Sequence, residues 1–174
     1  MEASMRSQGW RGIGAGRAMI AVLLLAVLPR VTAQIVPVAD TTALRDAINN
    51  AAPGQEIVLA PGVYMVIGNL LCDVAGTAGA PIVLRAATPH TATIRFDALE
   101  GFKVSEPYWR FDGLDIDGVC AADSDCEHAF HLFGAADRTT IRDNRVRDFN
   151  AQIKSNGATV GPAFVFPDDV LIEH

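Results

Sequence analysis

Phe102-Lys103-Val104 leads through a turn to Tyr108-Trp109-Arg110-Phe111-Asp112-Gly113-Leu114-Asp115-Ile116-Asp117. Phe130-His131-Leu132-Phe133 leads in the same way to Thr139-Thr140-Ile141-Arg142-Asp143-Asn144-Arg145-Val146-Arg147, and Phe164-Val165-Phe166 to Val170-Leu171-Ile172-Glu173-His174. Each pass is a short apolar strand, a turn and a second strand whose side chains alternate. Strands this short cannot bury a face alone, so a period of about thirty residues predicts stacked coils. The fold class expected is all-β: a parallel β-helix, or solenoid.

Working backwards, Gln55-Glu56-Ile57-Val58-Leu59 is strand-like, Ala60-Pro61-Gly62 is a turn, and Val63-Tyr64-Met65-Val66 is a second strand. Pro81-Ile82-Val83-Leu84-Arg85 repeats the apolar core, with Ile82 set against Ile57. Ahead of these strands, Asp40 or Thr41 can cap a short helix. Leu44, Ala47, Ile48 and Ala51 share one face of it, and Pro53-Gly54 ends it. That helix suits a plug over the first coil, whose unpaired edges need cover. The division expected is a leader over residues 1–33, an N-terminal segment with capping helix over 34–53, and coils over 54–174. Ile172-Glu173-His174 falls in mid-strand, so the chain reads as the N-terminal part of a longer solenoid.

The leader combines Arg6, Arg11 and Arg17 with an unbroken apolar run from Ala18 to Leu28, followed by Val31-Thr32-Ala33. This is the order of a secretory signal peptide cleaved after Ala33. The run is shorter than the roughly 20 residues a spanning helix needs, so no stable membrane insertion is expected after cleavage. A secreted or periplasmic address is the consequence. The formal net charge is −6, and removing the basic leader makes the remainder more acidic. Such a chain offers no general counter-charge to nucleic acid or anionic membranes. In an oxidising compartment Cys120 and Cys126 can close a short loop. Cys72 can pair with either instead, and an odd cysteine is left over. No fourth ligand sits at zinc-finger spacing.

Stacking at a displacement of 30 sets Asp112, Asp115 and Asp117 against Arg142, Arg145 and Arg147. A displacement of 31 sets Ile141 against Ile172. The charges read either as an outward ladder of ion pairs or as an acidic metal site, Asp115 and Asp117, beside a basic strip. An arginine above each aspartate favours the ladder. Asn144 interrupts an apolar column next to a turn, where its amide can satisfy backbone groups. Phe102, Phe130 and Phe164 are expected to stack in the core. Tyr108 and Trp109 lack repeat partners and are candidates for an exposed sugar contact. His128 and His131 fall on opposite faces of a regular strand and read as surface or loop histidines.

The segment LRDAINNAAPGQEIVLAPGVY (44–64) and then GTAGAPIVLRAATP (76–89) resembles the start of right-handed parallel β-helix proteins of the pectate-lyase-like superfamily. The nearest likeness is to the chondroitinase B and alginate lyase group. The matching order is a capping helix, P-G-x-x-I-x-L, P-G-x-Y and A-P-I-x-[LI]-R-A, and the likeness spans Thr41 to His174. It implies an exported, monomeric polysaccharide lyase that cleaves an acidic glycan by β-elimination. It also implies calcium to neutralise the uronate carboxylate, with a lysine and an arginine as base and acid. On that pattern Lys154 and Arg147 are the catalytic candidates. Asn150, Arg145, Tyr108 and Trp109 are candidates for substrate, and Asp115 and Asp117 for metal. The family's acidic pair ahead of the lysine is missing, and its functional residues tend to lie in later coils. Residues 34–174 alone are therefore expected to show no turnover. The alternative class is a non-catalytic, carbohydrate-binding β-helix.

Overall fold

A computed structural model of the protein describes residues 33–174. The leader reading falls on residues 1–33, and all of it but Ala33 lies outside the described residues. Strand β1 (Gln34–Val38) and helix α1 (Thr41–Asn49) precede a first coil of β2 (Gln55–Leu59), β3 (Gly62–Ile67) and β4 (Leu70–Cys72). The second coil is β5 (Ile82–Ala86), β6 (Ala92–Asp97) and β7 (Glu100–Val104). The third is β8 (Trp109–Asp112), β9 (Asp115–Gly118) and β10 (His128–Phe133). The fourth is β11 (Thr140–Arg142), β12 (Arg145–Arg147) and β13 (Ala151–Asn156). A hairpin of β14 (Ala158–Val160) and β15 (Ala163–Val165) then precedes β16 (Leu171–Glu173).

Like strands of successive coils pair in parallel. Sheet A runs β1-β2-β5-β8-β11-β16, sheet B is β3-β6-β9-β12, and sheet C is β4-β7-β10-β13. The chain is a parallel β-helix. Inward residues stack in columns because parallel register places equivalent positions one strand spacing apart, roughly 4.8 Å. Sheet A carries Ile57, Leu84, Phe111, Ile141 and Ile172 in line. The column is sealed at Phe111 and opens at Ile172, which is 59% exposed. Sheet C carries Leu70, Phe102, Phe130 and Ile153, with the two phenylalanine rings stacked 5.3 Å apart.

The predicted register of the later coils is the one found. Asp112 pairs with Arg142, Asp115 with Arg145, Asp117 with Arg147, and Ile141 with Ile172. Two earlier expectations are corrected. Ile57 lies against Leu84 rather than Ile82; the two candidates are two apart on one strand and both point inward, so parity does not distinguish them. Phe164 is outside the aromatic column and 62% exposed. Its place is taken by Ile153 on β13, while Phe164 belongs to the antiparallel hairpin and packs on Phe166, with ring centroids 5.1 Å apart.

Helix α1 starts where predicted. Asp40 accepts a hydrogen bond from the Ala43 N–H at 2.8 Å, filling one of the free donors of the first turn. Leu44 and Ile48 are fully buried. The helix packs against β1 to β4, and Arg45 donates to the Ile67 and Asn69 carbonyls. The strand before it, β1, joins sheet A by pairing with β2. Cys120 and Cys126 form a disulfide, and Cys72 is free and buried in the sheet C core. No helix of the described residues is long and apolar enough to cross a membrane.

Candidate functional site

The outward faces of the sheets carry the polar chemistry, since the interior is apolar. On sheet B the carboxylates of the charged columns are satisfied internally. Arg147 donates to Asp115 at 2.6 Å and lies 3.3 Å from Asp117. Arg95 approaches Asp117 from the other side, also at 3.3 Å, and the Thr93 hydroxyl donates to Asp115 at 3.1 Å. Hydrogen bonding to Asp115 holds the Arg147 guanidinium in its charged form and raises its pKa. On sheet A, Arg142 pairs with Asp112 and Arg85 with Glu56. The ladder is therefore real, although its strongest sheet B contact is diagonal. Arg145 stands exposed, with no carboxylate within reach among the described residues.

Sheet C differs. Its outward column runs Leu71, Lys103, His131 and Lys154. His131 is only 5% exposed. Its Nδ1 faces Glu100 at 2.6 Å and its Nε2 faces the Asn156 side-chain carbonyl oxygen at 2.5 Å. The Asn156 amide is oriented by donating to the Gly157 carbonyl at 3.1 Å. Lys103 sits 3.5 Å from Glu100 and 5.3 Å from the centre of the Phe133 ring. Partial burial pushes the Glu100 pKa up, yet the charges and hydrogen bonds of His131 and Lys103 together hold it below its ordinary value.

His128 completes the cluster. Two successive amides, of Glu127 and His128, both donate to the Leu99 carbonyl, and the parallel ladder skips Ala129. The register is unchanged on either side of Ala129, but strict alternation is lost there, with Ala129, Phe130, His131 and Leu132 all buried. This loss brings His128 beside His131, their rings stacked with centroids 5.9 Å apart. Reading the two as unrelated surface histidines is corrected on this ground. Burial first, and then the nearby Lys154 charge, pushes the His128 pKa down, with Glu127 acting in the opposite sense. Its Nδ1 is buried with no hydrogen-bond partner. The Glu127 carboxylate stands 3.5 Å from that nitrogen, and an imidazole held neutral beside the Lys154 ammonium can accept a proton.

The family model described as Chondroitinase B matches residues 38–154. The chain belongs to the chondroitinase B family. Solved structures similar to this family member include the PL6 family alginate lyase AlyGC, at 19% identity and a TM-score of 0.51, covering 64% of this chain and 15% of that one. A variant of AlyGC matches at 18% identity and a TM-score of 0.44, covering 64% and 18%. An alginate lyase from Paenibacillus sp. str. FPU-7 matches at 22% identity and a TM-score of 0.44, covering 64% and 44%. The chain thus spans less than half the length of each. No curated protein matches it. The AlyGC likeness bears on the fold alone.

The remaining candidates of this chondroitinase B family chain fall as follows. Lys154 is exposed on β13 and in register with His131, so it stands on a strand rather than in a loop. Arg147 is on β12, in a different sheet, and is committed to Asp115 and Asp117. Asn150 is exposed at the corner between them and donates its backbone N–H to the Cys126 carbonyl. Trp109 as a sugar contact is corrected: it is 1% exposed, stacks on Phe111, and its indole N–H donates to the Val74 carbonyl at 2.8 Å. Parity decides this, since Trp109 and Phe111 are two apart on one strand and both point inward. Tyr108, one residue earlier, is half-exposed at the corner. Asp115 and Asp117 do not fit calcium. Calcium takes six to eight oxygen ligands, whereas here two guanidinium groups already face the two carboxylates. Asn144 does what its position suggested, accepting from the Leu114 N–H at 2.9 Å and donating to the Phe111 carbonyl at 3.0 Å.

Proposed function

We propose that this chain is part of an exported polysaccharide lyase acting on an acidic glycan, with the outer face of sheet C meeting the substrate. The observation that carries the reading is His128, whose pKa is lowered, standing beside Lys154 and stacked on His131 in the outward column of sheet C. In a β-elimination, His128 takes the proton from C5 of a uronate. That electron pair forms the C4–C5 double bond, the C4–O bond breaks, and the departing oxygen takes a proton from the Lys154 ammonium. Lys103 lies in the same column and faces the uronate carboxylate. Calcium enters this reading only as a family expectation, with no ligand assigned to it.

The same proposal includes the right-handed sense of the coil, α1 as its cap, a monomeric state, and a leader that directs the protein out of the cytoplasm. The Cys120–Cys126 disulfide accords with an oxidising compartment. A second reading, a non-catalytic β-helix that binds acidic glycans, draws on the separation of Lys154 and Arg147 onto different sheets.

The test incubates the complete protein with alginate, chondroitin and pectate, with and without calcium, and follows ultraviolet absorbance of the unsaturated product. The lyase reading expects a signal on one of these glycans that His128→Gln and Lys154→Gln each reduce by about 10²-fold or more. Binding without any unsaturated product sinks the lyase reading and leaves the binding module.

A further inference from the structure

A second cluster lies on the outside of sheet A, away from the histidines. Arg110 occupies the outward column Val83, Arg110, Thr140 and Leu171. Its neighbours in the adjacent column, Arg85 and Arg142, are each paired to a carboxylate. Arg110 makes no such pair among the described residues, and its buried Nε has no acceptor. A half-buried guanidinium left without a partner is costly, and the interior side of this one offers none. Its charge can be met only from the open side.

What stands on the open side is ordered. The register stacks Tyr108, Arg138 and Asp169 at equivalent corners of three successive coils. All three adopt left-handed backbone, with φ of 62°, 55° and 54°. That conformation is unusual for a bulky residue and marks a constrained position. At Tyr108 the backbone is held on both sides, its N–H donating to the Asp137 carbonyl at 2.9 Å and its own carbonyl accepting from the Ile82 N–H at 3.1 Å. Gly76 passes so close that a Cβ there would lie 2.9 Å from the Tyr108 carbonyl oxygen. The Arg138 guanidinium lies 5.9 Å from the centre of the Tyr108 ring and pairs with Asp169 at 2.8 Å. Together with Arg110, Thr140 and Leu171, these residues border a groove of about 300 Å³, the lower end of the size range of small-molecule sites.

We propose that this groove binds one uronate ring of an acidic glycan, with its carboxylate on Arg110. A guanidinium presents a planar fork that matches a carboxylate. Asp169 and the Thr140 hydroxyl can take sugar hydroxyls, while Tyr108 and Leu171 cover C–H groups. Only one unpaired cation among the described residues faces the groove, and Asp169 repels a second negative charge. A monoanionic ring therefore fits better than a phosphate. The inference shares with the proposed function only the acidic class of glycan, and it requires no elimination at sheet C.

Calorimetric titration of the full chain with tetragalacturonate and tetramannuronate, against maltotetraose as the neutral control, tests it. At least one acidic tetrasaccharide is expected to bind and maltotetraose is not. Arg110→Gln is expected to weaken binding at least tenfold, and Arg110→Lys to recover part of the loss. Tyr108→Gly, which relieves the left-handed backbone while removing the ring, is expected to weaken binding without lowering the unfolding temperature. It separates a lost contact from a damaged fold. Absence of binding, equal affinity for the neutral sugar, or undiminished binding by Arg110→Gln overturns the proposal. Loss with Lys154→Gln alone assigns the glycan to sheet C and overturns it while sparing the lyase reading. Binding at this groove without unsaturated product has the opposite effect.

Discussion

At the scale of single residues, two polar side chains hold positions that an apolar coil does not readily accept. Asn144 fills the backbone vacancies of its corner, bonding the Leu114 N–H and the Phe111 carbonyl at once. Asn144→Ala leaves both without that partner, and denaturant unfolding is expected to show a loss of about 1–3 kcal/mol. Asn144→Asp can still accept from Leu114 but cannot donate to Phe111, and it should fall between. His128 is the second. Its folded-state pKa lies below the ordinary 6.5 because burial and Lys154 disfavour the charged ring. The unfolded chain therefore binds the proton first as pH falls. The stability this group contributes is complete above about pH 6.5 and is lost as pH drops through the lowered folded value. Stability measured from pH 8 down to pH 5 should decline in the wild type, and the decline should be shallower in His128→Gln. An identical slope in both would place the proton elsewhere. Glu100 is also lowered, so the stability it contributes is complete above its ordinary 4.5 and is lost only as pH falls below that value.

At the scale of elements, the contrast between Phe130 and Phe164 separates the coil from its insertion. Both occur in short phenylalanine-bounded apolar runs, yet Phe130 is fully buried on β10 and Phe164 projects from a hairpin. Phe130→Ala is expected to cost about 3–5 kcal/mol through the cavity it leaves between Phe102 and Ile153. Phe164→Ala should stay within about 0.5 kcal/mol, as surface substitutions do. Equal losses would mean that the hairpin packs as part of the core. Helix α1 depends on its own two anchors. Asp40→Ala removes the cap on Ala43, at about 0.5–2 kcal/mol. Leu44→Ala removes a fully buried side chain between the helix and the first coil, at about 2–5 kcal/mol.

At the scale of the whole molecule, three cysteines report on the integrity of the coil. Cys72 is buried on β4 in the sheet C column, next to β7, and burial pushes its thiol pKa well up. A thiol reagent should find no reactive group in the native oxidised protein and one, Cys72, after denaturation. Native labelling would mean that the first coil opens readily. Reducing Cys120–Cys126 is expected to lower stability by about 2 kcal/mol, a small effect because the loop it closes is short. The glycan assays belong to this scale too. They compare two outward faces on different sheets, one carrying His128, His131, Lys103 and Lys154 and one holding an unpaired arginine.

The amino-acid sequence alone determined whatever depends on period and parity. Recurrence at about thirty residues meant parallel coils, and the same displacement named the partners of Asp112, Asp115 and Asp117. Trp109 was open to the same argument, since it shares the parity of Phe111. The hairpin was less legible, because Phe164-Val165-Phe166 repeats the composition of a coil strand while β13, with Gln152, Lys154 and Ser155 exposed, does not look apolar enough. Only the tertiary structure decided which outward polar groups act together. A loss of strict alternation at Ala129 sets His128 beside His131, and the turn of the coil sets Lys154 and Arg147 on different sheets. It also decided that Arg110, flanked in sequence by apolar neighbours, is left without a carboxylate among the described residues. Pairing between side chains depends on corners and on local breaks in alternation. A period fixes only the strands between them.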